Sequence, residues 1–186
     1  MLNLLGMIWH GFNQNNCCIF TRQRKRITNM PKQIGVIGSG ALSKDEEAYR
    51  IAEQVGEEIA RTKAILICGG LYGVMEACAK GAKKCKGITV GILPGESKEE
   101  ANPYIDIKIV TAMSHARNAI IARSCDALIA VGGDYGTLSE IVLALKSGKK
   151  VAVIKTRDSL VSKVADSLPV YIAKNAKEAV EFCIKA

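Results

Sequence analysis

Three glycine-rich turns, each placed directly after a short apolar run, constrain the fold of this chain more than any other feature. They read Gly38-Ser39-Gly40, Gly69-Gly70-Leu71-Tyr72-Gly73 and Gly132-Gly133-Asp134-Tyr135-Gly136. After each turn, apolar residues recur at spacings of three and four, which is the pattern of an amphipathic helix. The sequence therefore predicts three units that each consist of a strand, a glycine-rich turn and a helix.

Strand and helix patterns alternate along the rest of the chain as well. We predict strands at residues 34–37, 64–68, 88–93, 105–110, 127–131, 151–154 and near 170. These runs are largely apolar at consecutive positions, as expected for strands covered on both faces of a parallel sheet. A chain of 186 residues suits one domain. The sequence thus predicts an α/β fold: a single-domain, three-layer α/β/α arrangement around a Rossmann-like, doubly wound parallel sheet.

Residues 1–29 differ in composition from the rest of the chain. A basic cluster at positions 22–26 carries four of the eight net positive charges, and it follows a short apolar start. A secretory signal has the opposite order, and no apolar run reaches the roughly 18 residues that a membrane span requires. We interpret residues 1–29 as a disordered or non-native N-terminal extension, Met30 as the natural start, and residues 30–186 as a Rossmann-like nucleotide-binding domain.

Cysteine usage and net charge limit the cellular compartments and the binding partners that the sequence favours. The seven cysteines are odd in number and form no CxxC pair, so we expect free thiols without a zinc site. Free thiols are typical of a reducing compartment, which predicts a cytoplasmic protein. Since half of the net charge lies in the first 29 residues, nucleic acid is disfavoured as a partner, and no contact with a membrane is predicted.

The glycine-rich turns are also the predicted ligand site. Ligands of an open parallel sheet bind beyond the carboxyl ends of its strands, where these turns lie. Glycine lets a ligand approach the backbone, and each turn opens a helix whose free amides suit phosphate. The alternative is that the glycines only permit tight turns. The predicted binding residues are Gly38, Ser39, Gly40, Gly69, Gly70, Gly73, Gly132, Gly133, Gly136 and Thr137.

Two common phosphate-site motifs are absent. The first turn lacks the third glycine of GxGxxG, and the second strand ends in Gly69-Gly70 where a dinucleotide site would carry a ribose-binding acid. The chain also has no Gly-Lys-Ser/Thr, so it has no Walker-type phosphate loop. The sequence therefore disfavours a dinucleotide cofactor and a nucleoside triphosphatase.

Two charged residues near the turns are candidates for chemistry. Arg117 could form paired hydrogen bonds to a phosphate or a carboxylate, and Glu140 could serve as acid, base or ribose partner. Alternatives remain open: Arg117 could be a solvated helix residue, and Glu140 could form a capping box with Thr137. His115, the only histidine outside the first 29 residues, is a minor candidate.

These motifs resemble a known family. Residues 69–77 resemble the GGxxGxM motif of the LOG (Lonely Guy) superfamily, many of whose members have been labelled lysine decarboxylase. Arg117 and residues 132–140 are similar to its MHxRK and PGGxGTxxE motifs. Residues 110–118 and 130–132 more closely resemble the molybdenum-cofactor carrier branch. The resemblance covers most of the domain and implies a homo-oligomer that binds a heterocycle tied to a phosphate.

The two branches imply different functions. A carrier would bind a pterin phosphate, the molybdenum cofactor, without turning it over, and no other cofactor is implied. A hydrolase would cleave the N-glycosidic bond of nucleoside 5′-monophosphates, with Arg117 and Glu140 as its catalytic pair and Gly133, Gly136 and Thr137 at the phosphate. Related folds in DNA-processing proteins suggest a remote third alternative, which would need a basic surface.

This sequence departs from the hydrolase motif at several positions. Gly132 stands where the motif has proline, and Asp134 where it has a second glycine. Ser114 and Asn118 replace the methionine and the lysine that flank the histidine and arginine. Asp134 matters most, because a carboxylate near a phosphate weakens binding unless it points away or holds a cation. Whether the protein is an enzyme therefore stays open at the level of sequence.

Overall fold

The computed structural model describes residues 30–43, 46–157 and 159–185. The predicted extension at residues 1–29 lies outside these residues. One compact unit spans Pro31–Ala186 and carries the sheet. Within the described part of the chain, no helix has the length and apolar character needed to cross a membrane.

Seven strands, all parallel to their neighbours, form one sheet in the described residues. They are β1 (Gln33–Gly38), β2 (Ile65–Cys68), β3 (Thr89–Leu93), β4 (Ile107–Val110), β5 (Ala127–Val131), β6 (Lys150–Ile154) and β7 (Tyr171–Ile172). Their order across the sheet is β4-β3-β2-β1-β5-β6-β7. The predicted parallel sheet is confirmed, and every predicted strand lies within a few residues of an observed one.

Six α-helices cover both faces of the sheet in the described ranges. They are α1 (Glu47–Arg61), α2 (Val74–Lys84), α3 (Asn118–Ser124), α4 (Tyr135–Lys146), α5 (Leu160–Val164) and α6 (Ala176–Ile184). Helices α1, α2 and α6 share one apolar core with the sheet, and α3, α4 and α5 share the other. This arrangement confirms the predicted three-layer α/β/α domain.

Helix α1 shows how the sequence pattern sets the packing. Ala52, Val55 and Ile59 recur at spacings of three and four and are fully buried. Gly56 lies on the same side, where a Cβ atom would collide with the Cys78 carbonyl oxygen of α2. The absence of a side chain at Gly56 thus allows α1 and α2 to pack with their backbones in contact.

The strand order places a crevice beside β1. The chain moves outward from β1 to β4 and then returns to the other side of β1 with β5. Such a reversal leaves a crevice at the carboxyl ends of the two central strands, which is where open α/β sheets bind ligands. Here β1 ends at Gly38 and β5 ends at Val131, and these two residues are register partners. A Cβ atom at Gly38 would stand 2.7 Å from the Val131 carbonyl oxygen, so glycine permits this close approach.

The first two glycine-rich turns are in direct contact. Gly73 has a φ of 66°, and a Cβ atom there would collide with the carbonyl oxygen of Ser39. The amide of the next residue, Val74, donates a hydrogen bond to that same oxygen at 2.9 Å. Because a side chain at Gly73 would prevent this contact, the glycine links the turn after β1 to the start of α2.

Candidate functional site

A cavity of about 200 Å³ opens at the carboxyl ends of the central strands. The two predicted catalytic residues, Arg117 and Glu140, both line it, and so does His115. Residues from all three glycine-rich turns join them. The predicted binding residues in its wall are Gly38, Ser39, Gly40, Gly69, Gly136 and Thr137.

Four of the predicted binding glycines lie outside this wall. Gly70, Gly73, Gly132 and Gly133 all have positive φ, between 55° and 105°. This backbone conformation suits glycine far better than other residues, so these positions shape the turns. Gly133 lines a neighbouring cavity, also of about 200 Å³, which shares Ser39 with the first. A direct role for these four glycines in binding stays a prediction.

Arg117 is a buried residue with only 9% of its surface exposed. Its Nη1 atom donates hydrogen bonds to Asn118 Oδ1 at 3.0 Å and to Glu140 Oε1 at 3.3 Å. Its Nε atom is buried and has no hydrogen-bond partner among the described residues. A buried donor without a partner costs about 1–3 kcal/mol, and an acceptor on a ligand would remove that cost. The structure thus excludes the alternative of a solvated helix arginine.

The predicted capping box at Thr137 and Glu140 is wrong. Helix α4 begins at Tyr135 and has Asp134 at its N-cap, so Thr137 is already inside the first turn. The helix starts earlier than the predicted capping box requires, because Gly133 is the last residue of the turn with a positive φ. Glu140 consequently lies one turn further along α4 and faces the cavity instead of the helix terminus.

Glu140 and Arg117 form a buried ion pair, and burial is the largest cause of the pKa shift of each group. Glu140 is only 6% exposed, and this burial raises its pKa to about 7, although the Arg117 guanidinium opposes the shift. Burial also lowers the pKa of Arg117. Both shifts favour the neutral forms, as expected where the loss of hydration exceeds the mutual attraction of the charges. A carboxyl with a pKa near 7 can accept or donate a proton at neutral pH.

This raised pKa has a measurable effect on stability. A carboxyl with a pKa of about 7 in the fold and about 4.5 in the unfolded chain stabilises the fold fully below pH 4.5. Its contribution is lost as the pH rises through 7. We expect the free energy of unfolding to fall by about 3 kcal/mol between pH 4.5 and 8 relative to Glu140→Gln. Urea titrations of both proteins at several pH values would measure this, and parallel curves would contradict it.

The segment that leads into Arg117 holds two residues in a strained conformation. Ala112 and Ser114 have φ values of 52° and 48°, which residues other than glycine rarely adopt. Their amides donate hydrogen bonds of 2.9 Å to the carbonyl oxygens of Gly95 and Pro94, respectively. Such strain persists only where the surroundings fix it, and it is concentrated at functional sites. These bonds hold the 3₁₀ helix Ser114–Arg117 at the cavity.

Besides Val36 and Ile37 of β1, three residues in the wall were not among the predicted site residues. Met75 lies in the first turn of α2, and its place in the GGxxGxM motif could have indicated it. Asn118 follows Arg117 directly and stands at the lysine position of the MHxRK motif, which could have indicated it. Asp134 lines both cavities, is exposed and makes no side-chain hydrogen bond to its own helix. Asp134 therefore belongs to the wall of both cavities.

A doubly wound parallel sheet with a buried Arg–Glu pair and a helix N-terminus at its central crevice defines a Rossmann-like α/β protein. The chain matches the model of the SLOG cluster4 family over residues 31–180. It belongs to that family.

Two relatives show how far the sequence similarity extends. A protein of Archaeoglobus fulgidus whose function is not established is 53% identical over 154 residues, which cover 83% of this chain and 95% of that protein. The cytokinin riboside 5′-monophosphate phosphoribohydrolase of Mycobacterium tuberculosis is 35% identical over 105 residues. That match covers 55% of this chain and 56% of the enzyme. The predicted resemblance to the LOG superfamily is confirmed.

Solved structures extend the similarity to nearly the whole domain. The molybdenum cofactor binding protein of Rippkaea orientalis is 38% identical, with a TM-score of 0.76, over 84% of this chain and 96% of its own. The molybdenum cofactor carrier protein of Chlamydomonas reinhardtii is 35% identical, with a TM-score of 0.73, over 84% of this chain and 100% of its own. The predicted likeness to the carrier branch is thus confirmed at the level of fold and sequence.

Proposed function

We propose that this protein binds a phosphate-bearing heterocycle, a nucleotide or a molybdopterin-type cofactor, and holds it as a carrier. The observation that carries the proposal is Arg117, a largely buried guanidinium in the wall of the cavity whose Nε–H has no acceptor in the part of the chain that the structure describes. A guanidinium group pairs well with phosphate oxygens, and it remains charged at any physiological pH. The likeness to molybdenum cofactor carrier and binding proteins supports the same ligand class.

The first turn of α4 supplies a second element for phosphate. The first amides of an α-helix have no acceptor inside the helix, and the helix dipole adds partial positive charge there. No described atom lies within 4 Å of where a Cβ atom would stand at Gly136, so the backbone is open to a ligand. Gly136 and Arg117 line the same cavity, which allows one phosphate group to contact both.

Another part of the wall suits a planar ring. Met75 contributes an apolar side chain there, and Gly38 and Gly69 contribute backbone without side chains. A flat apolar ring can pack against such a surface, and the methionine sulfur makes favourable contacts with aromatic rings. The cavity therefore combines a donor set for an anion with an apolar surface for a heterocycle.

Two measurements test the proposal. Calorimetric titration with AMP, adenosine and inorganic phosphate should show AMP binding at least about tenfold more tightly than adenosine, because only AMP can use Arg117. Native mass spectrometry of the purified protein should show a pterin or nucleotide phosphate that co-purifies. Absence of both phosphate-dependent binding and a co-purifying phosphate ligand would refute the proposal.

Asp134 is expected to weaken phosphate binding in the native protein. It lines the cavity and is exposed, so a phosphate there meets a like charge. We expect Asp134→Asn to raise the affinity for AMP about fivefold at low salt, and less at high salt because ions screen exposed charges. Titrations at two salt concentrations measure this. Glu181→Gln, an exposed change outside both cavity walls, is the control, and equal gains in both variants would contradict a local effect.

A second candidate function is the nucleoside 5′-monophosphate phosphoribohydrolase. It is favoured by the raised pKa of Glu140 beside Arg117, since a group with a pKa near 7 can act as acid or base at neutral pH. Release of free base from a panel of nucleoside monophosphates tests this activity, with Glu140→Ala as the control. Release that Glu140→Ala abolishes would establish the enzyme, whereas no release from any nucleotide would leave the carrier role.

We further propose a cytoplasmic homo-oligomer. The location rests on the free thiols, four of which are buried in the described residues, and the assembly rests on the family resemblance. Light scattering at micromolar concentration tests the assembly, and a monomer would contradict it.

A further inference from the structure

Asn118 bridges two walls of the cavity. It begins α3 directly after Arg117 and is only 8% exposed. Its Oδ1 atom accepts the bond from Arg117 Nη1, and its Nδ2 atom donates to Ser139 Oγ at 3.1 Å and to the Gly136 carbonyl oxygen at 3.4 Å. A guanidinium group can only donate and a carbonyl oxygen can only accept, so these contacts define the orientation of the amide.

The bridge ends on the first turns of α4. Ser139 Oγ also donates to the Gly136 carbonyl oxygen at 2.6 Å, so Asn118, Ser139 and Gly136 form a closed set of hydrogen bonds. Gly136 is the residue whose open backbone faces the cavity. Through Asn118, the guanidinium of Arg117 and the start of α4 are held in one relative position.

Asn118 differs from Glu140, the other hydrogen-bond partner of Arg117, because its side chain does not titrate. Among the described residues, the hydrogen-bonded side chains at this guanidinium are those of Asn118 and Glu140. Glu140 changes charge near neutral pH because burial raises its pKa, and its neutral form attracts the guanidinium less. The amide of Asn118 does not titrate, so its hold on Arg117 is the same at every physiological pH.

We propose that Asn118 is a positioning residue, which holds the guanidinium of Arg117 in one orientation relative to the first turn of α4. The consequence for binding rests on the proposed function. The orientation itself is a property of the free protein and can be measured without a ligand.

Nuclear magnetic resonance of the Arg117 side chain tests the orientation. The Nε–H signal, assigned by its loss in Arg117→Lys, should show an order parameter close to that of rigid backbone, about 0.85. In Asn118→Leu, which has a similar volume and no polar atoms, we expect it to fall below about 0.6. Ser139→Ala is the matched control, since it leaves the Asn118–Arg117 bond in place. An unchanged order parameter in Asn118→Leu would overturn the proposal.

A double-mutant cycle tests the consequence for binding. With AMP and inorganic phosphate as probes, Asn118→Leu should weaken binding about tenfold, while the melting temperature shows that the variant remains folded. The same change in an Arg117→Met background should have no further effect, because Asn118 acts through Arg117. Independent, additive losses would refute the positioning role. If the wild type binds neither probe, the proposed function fails for these ligands, and the resonance measurement alone decides on Asn118.

Discussion

Arg117→Met is expected to lower the affinity for AMP by about 10- to 100-fold. A hydrogen bond to a charged group contributes about 1.5–3 kcal/mol, and this variant removes the charge together with all the donors of the guanidinium. Methionine keeps much of the apolar length of the side chain. The carboxyl of Glu140, which loses its partner, can stay neutral because burial already raises its pKa. The fold should therefore tolerate the change.

Calorimetric titration of AMP measures this effect. Arg123→Met is the matched control, since Arg123 lies on α3, the helix that directly follows Arg117, but is exposed and outside the cavity wall. We expect the control to bind as the wild type does. Equal affinities of wild type and Arg117→Met would show that the phosphate does not contact this guanidinium, and they would refute the proposed site.

Gly69→Ala should abolish most ligand binding and leave the fold largely intact. A Cβ atom at this position would stand 2.6 Å from Met75 Sδ and would collide with Arg117 Nη2. Both obstacles are the ends of flexible side chains, so they can move aside without displacing the backbone. The guanidinium is then shifted from its place beside Glu140, and a misplacement of about 1 Å at a site can cost on the order of 100-fold.

Binding and stability are measured together for this variant. We expect AMP affinity to fall by about 10- to 100-fold while the melting temperature changes by only a few degrees. Gly40→Ala is the control, because Gly40 lines the same cavity but, among the described atoms, its Cβ atom would meet only Met75 Cε, at 3.3 Å. If Gly69→Ala binds AMP as tightly as Gly40→Ala does, the position of the Arg117 guanidinium does not determine binding.

The strands and the layer arrangement were predictable because they depend on local patterns. Val36, Leu66 and Ile129 stand in apolar runs that leave no polar face, and such runs must be covered on both sides. The order of the strands was not predicted, since it depends on which distant segments pair. The contact between Arg117 and Glu140, 23 residues apart, likewise forms only when β5 returns beside β1.

Helix α4 shows a more specific failure of the pattern. The apolar residues of this helix, Leu138, Ile141, Val142 and Leu145, lie at spacings that predict one inward face, but Val142 is 49% exposed. The inward face instead carries Thr137, Glu140, Ile141 and Ala144, and two of these are polar. Assigning the inward face of α4 from its apolar residues therefore gives the wrong face, because the residue that lines the cavity is the carboxylic acid Glu140. The buried Glu140 thus both forms part of the cavity wall and explains why the prediction for Val142 is wrong.

The buried carboxyl of Glu140 has a consequence for how a ligand would be taken up and released. An anion beside Arg117 adds negative charge near Glu140 and favours the protonated form of the carboxyl. Binding of the anion is then accompanied by uptake of a proton, and the two equilibria are thermodynamically linked. Affinity for the anion would fall as the pH rises through 7, so a modest change in acidity would be sufficient to favour loading or delivery.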